Sequence, residues 1–294
     1  MRKIYTLLLL SVLLFSCSLK DEFDSVIEMT ENEPTFDVST DYGLEIKTMF
    51  DKYGILFNPS FTLEDYKWDW STINSVYGPN TTGFRYTNAN TSYVKEVIDS
   101  VNSWVFKIFP DSFIAGRLPR KIYMCDTLCN RFTYSSKLVY RWYAGEIKTN
   151  FMMLGYVSER FNEEKIKRSL IESWVSLFIE RMISSSNLSI PLPFTDLSTD
   201  GYAKITFTNA EDVITNYGLL KKGRTGQNTG SASAAWNKTT PAQDFGDFVA
   251  FIVYVPESEK QIAYNKNVKI KQKVDIVKDY FLTNFNITLP YWPR

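Results

Sequence analysis

The sequence predicts an α+β fold, and two patterns carry that prediction. Short runs with period-two alternation fill the first half of the chain, while apolar residues at helical spacing dominate the second. Strands early and helices late argue against a doubly wound parallel sheet. Apolar side chains make up 44% of the 294 residues and aromatics 16%, which is enough for a full core and excludes wholesale disorder.

The chain opens with a leader. Arg2 and Lys3 form a charged start, and residues 4–15 are nearly all apolar, a run too short to span a bilayer and suited to a signal peptide. It ends in Leu14-Phe15-Ser16-Cys17, which resembles a bacterial lipobox, so Cys17 is the expected lipidation site. Lys20-Asp21-Glu22 resembles the export signal of surface-exposed outer-membrane lipoproteins. The expected organisation is a lipoprotein signal peptide over 1–16, a lipidated Cys and flexible tether over 17–39, and one domain over 40–294. The expected location is the outer membrane, lipid-anchored and facing outward.

The domain begins with a helix over 42–53 and a strand at 54–57. Tyr66, Trp68 and Trp70 alternate along a further strand, which suits either a core face or ligand stacking; the C-terminal Tyr291 and Trp292 could stack on a ligand too. Val94, Val97, Ile98, Val101, Trp104, Val105 and Ile108 trace an amphipathic helix stopped by Pro110. Strands follow at 121–124, 132–142 and 151–154, and a helix over 169–182. The small residues of 223–235 read as the most flexible loop of the mature domain. Thr240-Pro241-Ala242-Gln243 is a strong helix start, with a capping Thr, Pro at the first position and Gln to close the box. Apolar residues surround the axis of the helix that follows, so it should be buried. Ile270, Val274, Val277 and Phe281 mark a last helix, with Lys269, Lys271, Lys273 and Lys278 expected towards solvent.

Charge and residue usage exclude several functions. Basic and acidic side chains number 33 each, so no cationic excess exists to displace phosphate counterions, and nucleic acid is not an expected partner. The chain contains no histidine, which removes Ser/His/Asp and Cys/His nucleophilic sites. Beyond Cys17, only Cys125 and Cys129 remain; two buried thiols or a disulfide are both open, and two sulfurs are too few for a zinc site.

The order of several segments resembles a known family. Residues 113–128 (FIAGRLPRKIYMCDTL), Tyr53-Gly54-Ile55 with Tyr66-Lys67-Trp68, and above all Pro241-Ala242-Gln243-Asp244-Phe245-Gly246-Asp247 are similar to motifs of zinc metallohydrolase lipoproteins encoded beside nutrient importers. The last resembles that family's Pro-x-Glu-Asp-Phe-Ala-Glu helix start. The resemblance implies a zincin-like metallopeptidase domain. In such a domain the 169–182 helix would carry His-Glu-x-x-His, two imidazoles on one face to hold zinc and a Glu as general base. Ser169, Glu172, Ser173, Ser176 and Glu180 form that helix's polar side. The metal face therefore maps onto Glu172 and Ser176 in place of the imidazoles and Ser173 in place of the base, with the later acid on Asp247. The domain is thus expected to be degenerate, a pseudoenzyme without zinc or other cofactor.

By the same resemblance, the expected role is an accessory or binding subunit of a TonB-dependent (Sus-type) nutrient import complex. Its partners would be a TonB-dependent transporter, a SusD-like lipoprotein, and a glycan or peptide. Two other functions fit the residues. One is a hydrolase of altered chemistry, using Glu172, Asp247 and Glu180 around a hard cation or as acid and base. The other is a free-standing glycan- or peptide-binding module.

Overall fold

Local signals set the ends of the first elements. Thr40 accepts a hydrogen bond from the Gly43 N–H at 3.1 Å and starts α1 (Asp41–Tyr53). Gly54, left-handed at φ 72°, ends it by donating to the Phe50 carbonyl. The computed structural model describes residues 34–62, 65, 83–134, 137–147, 151–203, 210–220, 227–228 and 239–292. Phe36 packs on Phe50 with ring centroids 5.3 Å apart, so chain contacts with the fold begin ahead of α1.

The strands are β1 (Leu56–Asn58), β2 (Gly83–Asn88), β3 (Lys121–Tyr134), β4 (Lys137–Trp142), β5 (Gly145–Ile147), β6 (Phe151–Leu154) and β7 (Gln227–Asn228). Long β3 is their hub. Its first residues lie between β1 and β6, both parallel to it, with Ile122 opposite Phe57 and Met152. Its later residues lie between β2 and β4, both antiparallel, with Cys129 opposite Arg85 and Trp142. β5 pairs antiparallel with β6, and β7 with β4. The 132–142 stretch, expected as one strand, is two: Tyr134 pairs with Lys137, so the chain reverses there. Period-two alternation cannot register such a reversal, because both arms keep it.

Alternation along β3 divides the interior. Ile122 and Met124 enter the main core, whereas Tyr123 and Cys125 join a smaller cluster with Phe61, Leu128, Phe151 and Met153. Helices complete the domain, most of them facing the main core. They are α2 (Thr91–Trp104), α3 (Asp111–Ile114), α4 (Glu164–Ser184), α5 (Leu192–Asp196), α6 (Thr199–Ala203), α7 (Ala210–Tyr217), α8 (Pro241–Tyr254), α9 (Glu257–Lys266) and α10 (Val268–Phe285). The helical spacing of Val94, Val97, Ile98 and Val101 buries one face of α2, and Ile270, Val274, Val277 and Phe281 do the same for α10. Trp174 of α4 is wholly buried and donates its indole N–H to the Ala144 carbonyl at 2.8 Å, which ties α4 to the loop entering β5. Truncating a Trp so placed costs about 3–5 kcal/mol. Among the described residues no helix is long and apolar enough to cross a membrane.

Candidate functional site

The polar side of α4 divides along its length. Towards the N-terminus, Ser169 is exposed, while Glu172 and Ser173 are half-buried. One turn further on, Ser176 has no exposure. Its hydroxyl lies 3.4 Å from the Gln243 carbonyl of α8, and Gly246 presses on its backbone: a Cβ at Gly246 would stand 2.5 Å from the Ser176 carbonyl oxygen. Only a residue without a side chain allows this approach. Gly246 stands where the resembled motif has alanine, and the closer approach seals the position. Ser176 is therefore not a cleft residue. Sequence spacing places it on the polar side of α4, but α8 covers that side at Ser176.

The expected metal positions do not fit zinc. The chain has no imidazole to offer, Ser176 is sealed, and Glu172 forms an i,i+4 pair with Arg168 at 3.6 Å. The Ser173 hydroxyl turns back onto its own helix, donating to the Ser169 carbonyl at 2.7 Å. Asp247 is buried on α8, one turn past Asp244. Among the described residues no three His, Cys, Asp or Glu side chains gather closely enough to hold a metal ion, so Glu172, Asp247 and Glu180 do not form the triad weighed for a hard cation.

What opens beside the first half of α4 is a cleft of about 880 Å³, within the size range of small-ligand sites. Trp104, Ile171 and Val255 form its apolar wall. Glu164, Lys167, Arg168 and Glu172 of α4 and Glu259 of α9 line it as well. Lys167 pairs with Glu96 at 3.0 Å, and Arg168 with Glu172, so the cations are held in place. Trp104 meets Trp292 edge to face at 6.3 Å. The Trp292 backbone N–H donates to the Val253 carbonyl at 2.9 Å, which docks the C-terminal segment behind this wall. The arrangement combines an aromatic surface with planar charged groups of both signs. It can hold a polar ligand with one apolar face. Of the predicted site residues that are described, only Glu172 lines this cleft.

A second polar cluster lies wholly inside. Asp244 and Lys273 have no side-chain exposure and pair at 2.6 Å. The Tyr202 hydroxyl donates to the same Asp244 oxygen at 2.7 Å and lies 3.2 Å from the lysine nitrogen. Lys273 was expected in solvent beside Lys269, Lys271 and Lys278. It is buried instead, because it follows Ile270 by three positions and so shares the apolar side of α10. Charge alone suggested the solvent face; the i,i+3 spacing from Ile270 was the signal against it. Burial pushes the Asp244 carboxyl up and the Lys273 amine down, and each counters the other's shift by attraction. Burial and the Asp244 charge both push the Tyr202 phenol up.

The remaining sequence expectations resolve as follows. Cys125 and Cys129 are free and buried. They lie four residues apart on continuous β3, which separates their α-carbons by about 13 Å, too far for a disulfide. Burial raises both thiols, Cys125 the more strongly. The Thr240 hydroxyl accepts the Gln243 N–H at 3.1 Å, as the capping pattern predicts, and α8 is buried along nearly its whole length. Cys17, Tyr66, Trp68 and Trp70 lie outside the described residues, as does the loop expected over 223–235 apart from Gln227 and Asn228, which form β7.

No protein-family model matches the chain, and no curated protein does. A solved structure does match: a "putative zinc-binding metallo-peptidase" from Bacteroides caccae ATCC 43185. It aligns with TM-score 0.52 and 14% identity, over 86% of this chain and 90% of that one. At this identity the likeness is one of fold: the chain is a mixed helix-and-sheet domain with a metallopeptidase-like fold.

Proposed function

We propose that this chain is a non-catalytic relative of zinc metallohydrolases. Anchored in the outer membrane through Cys17 and exposed at the cell surface, it serves as an accessory binding subunit of a TonB-dependent import complex with a SusD-like lipoprotein. The cleft beside α4 takes the glycan or peptide ligand. One observation carries this reading: where a zincin-like helix needs two metal ligands, Ser176 is closed under Gly246 and Glu172 is paired with Arg168. The scaffold is retained while the two positions serve packing and charge pairing. The lipobox and the Lys-Asp-Glu run after it support the location, and the matched fold supports the kinship.

The test has two arms. Purified protein is assayed for zinc and for peptidase activity; stoichiometric zinc with chelator-sensitive hydrolysis would refute the non-catalytic reading. Solubilised outer membranes are then used for a pull-down with the tagged chain, and recovery of a TonB-dependent transporter with its lipoprotein partner is the expected outcome. In the same preparation Trp104→Ala weakens binding of oligosaccharide or peptide at least tenfold by thermal shift, because it removes the aromatic wall.

A further inference from the structure

The pair of Asp244 and Lys273 is arranged for more than charge neutralisation. Lys273 Nζ stands 2.6 Å from Asp244 Oδ2 with both side chains fully buried. Three rings enclose the amine, with centroids 4.7 Å away at Phe194, 5.2 Å at Tyr202 and 5.2 Å at Phe248. Tyr202 Oη touches both partners, while Asp244 Oδ1 is buried and meets no hydrogen-bond partner among the described residues. A dry aromatic enclosure disfavours ammonium and carboxylate alike. One proton passing along the Nζ–H···Oδ2 contact yields a neutral amine beside a neutral acid. Burial pushes both groups in that direction, and the Asp247 charge adds to the effect on Asp244.

We propose that Asp244 and Lys273 condense into an intramolecular isopeptide bond that joins α8 covalently to α10. The Nζ lone pair attacks Asp244 Cγ, so the Nζ–Cγ bond forms and the Cγ–Oδ2 bond breaks. Oδ2 leaves as water, carrying two of the three ammonium protons, and the third stays on the amide nitrogen. Tyr202 Oη, bonded to both reactants, relays the second of those protons. Oδ1 becomes the amide carbonyl oxygen. No oxidant, reductant or metal is consumed. The fold supplies what the reaction lacks in water, a fixed contact between the reacting groups and an enclosure that excludes solvent. The described residues contain no disulfide, so this bond is their one side-chain crosslink.

Mass spectrometry of the folded full-length protein tests this directly. Trypsin cannot cut after an acylated lysine. The expected product is therefore a branched peptide, residues 239–260 joined to residues 272–278, about 18 Da lighter than the sum of the two, the mass of one water. The protein with Asp244→Ala yields no branched peptide, and Asp244→Asn yields the same branched peptide through loss of ammonia. Recovery of the linear 239–260 peptide at its sequence mass, with cleavage after Lys273, from folded wild-type protein overturns the proposal. So does a crosslink that persists in Asp244→Ala, which would place the bond on another carboxylate.

Discussion

Two ion pairs of the helical layer differ in nearly every respect. Arg168 and Glu172 sit one turn apart on α4 at the cleft edge, 3.6 Å from each other and with 47% and 20% of their side chains exposed. Asp244 and Lys273 come from different helices and meet at 2.6 Å with nothing exposed. The first pair is screened by water and salt and holds a cleft wall in order. The second sits where an unpartnered charge has no solvent to turn to, so each member depends on the other. The two pairs therefore answer differently to substitution: either member of the open pair can change alone, and neither member of the closed one can.

The largest effect should come from breaking the closed pair. Lys273→Met leaves Asp244 buried without its cation and should cost about 3–5 kcal/mol in urea unfolding. The double replacement Asp244→Leu with Lys273→Met sharpens the point. If the pair is ionic only, the double variant should recover most of that loss, since apolar replacements of buried ion pairs are often neutral or stabilising. If the two are bonded, it should remain about 3–4 kcal/mol below wild type, the chain-entropy value for losing a tie across a loop of this length.

Gly246→Ala comes next. The added methyl meets the Ser176 backbone, which cannot rotate away, so α4 and α8 must part at an expected cost of about 1–3 kcal/mol. An unchanged denaturation midpoint would show that the two helices are not in the contact described.

The open pair should matter far less. Glu172→Gln is expected to change stability by less than about 1 kcal/mol, and less still in high salt. Its effect should appear in ligand binding at the cleft. Smallest of all is the surface carboxylate Asp111, whose hydrogen bonds from Lys52 and Tyr53 hold it below the usual value of 3.8. A depressed folded value means its contribution is present above pH 3.8 and is lost as pH falls through the folded value. Exposure of 63% reduces that contribution to a few tenths of a kcal/mol, readable only as a slight downturn in acid unfolding curves.

Much of the fold was legible because its signals are local. The Thr240 cap, the Pro241 start and the apolar faces of α2 and α10 follow from residues a few positions apart. β2, β5 and α9 carry weaker local patterns and were not anticipated; β5, three residues long, exists through its pairing with β6. The candidate site was half legible. Glu172 does face a cleft, but Ser176 does not, and no periodicity on α4 reports that a glycine seventy residues later closes over it.

What the sequence determined alone is compositional and covalent. Without histidine there is no imidazole zinc site, whatever the fold, and cap and period set where helices start and which face is apolar. What only the tertiary structure decided is which polar residues meet solvent. Ser176 lies on the polar side of its helix, and the charges of Asp244 and Lys273 by themselves point to solvent. They are interior because α8 and α10 pack over them, and burial is a property of neighbours that lie far away along the chain.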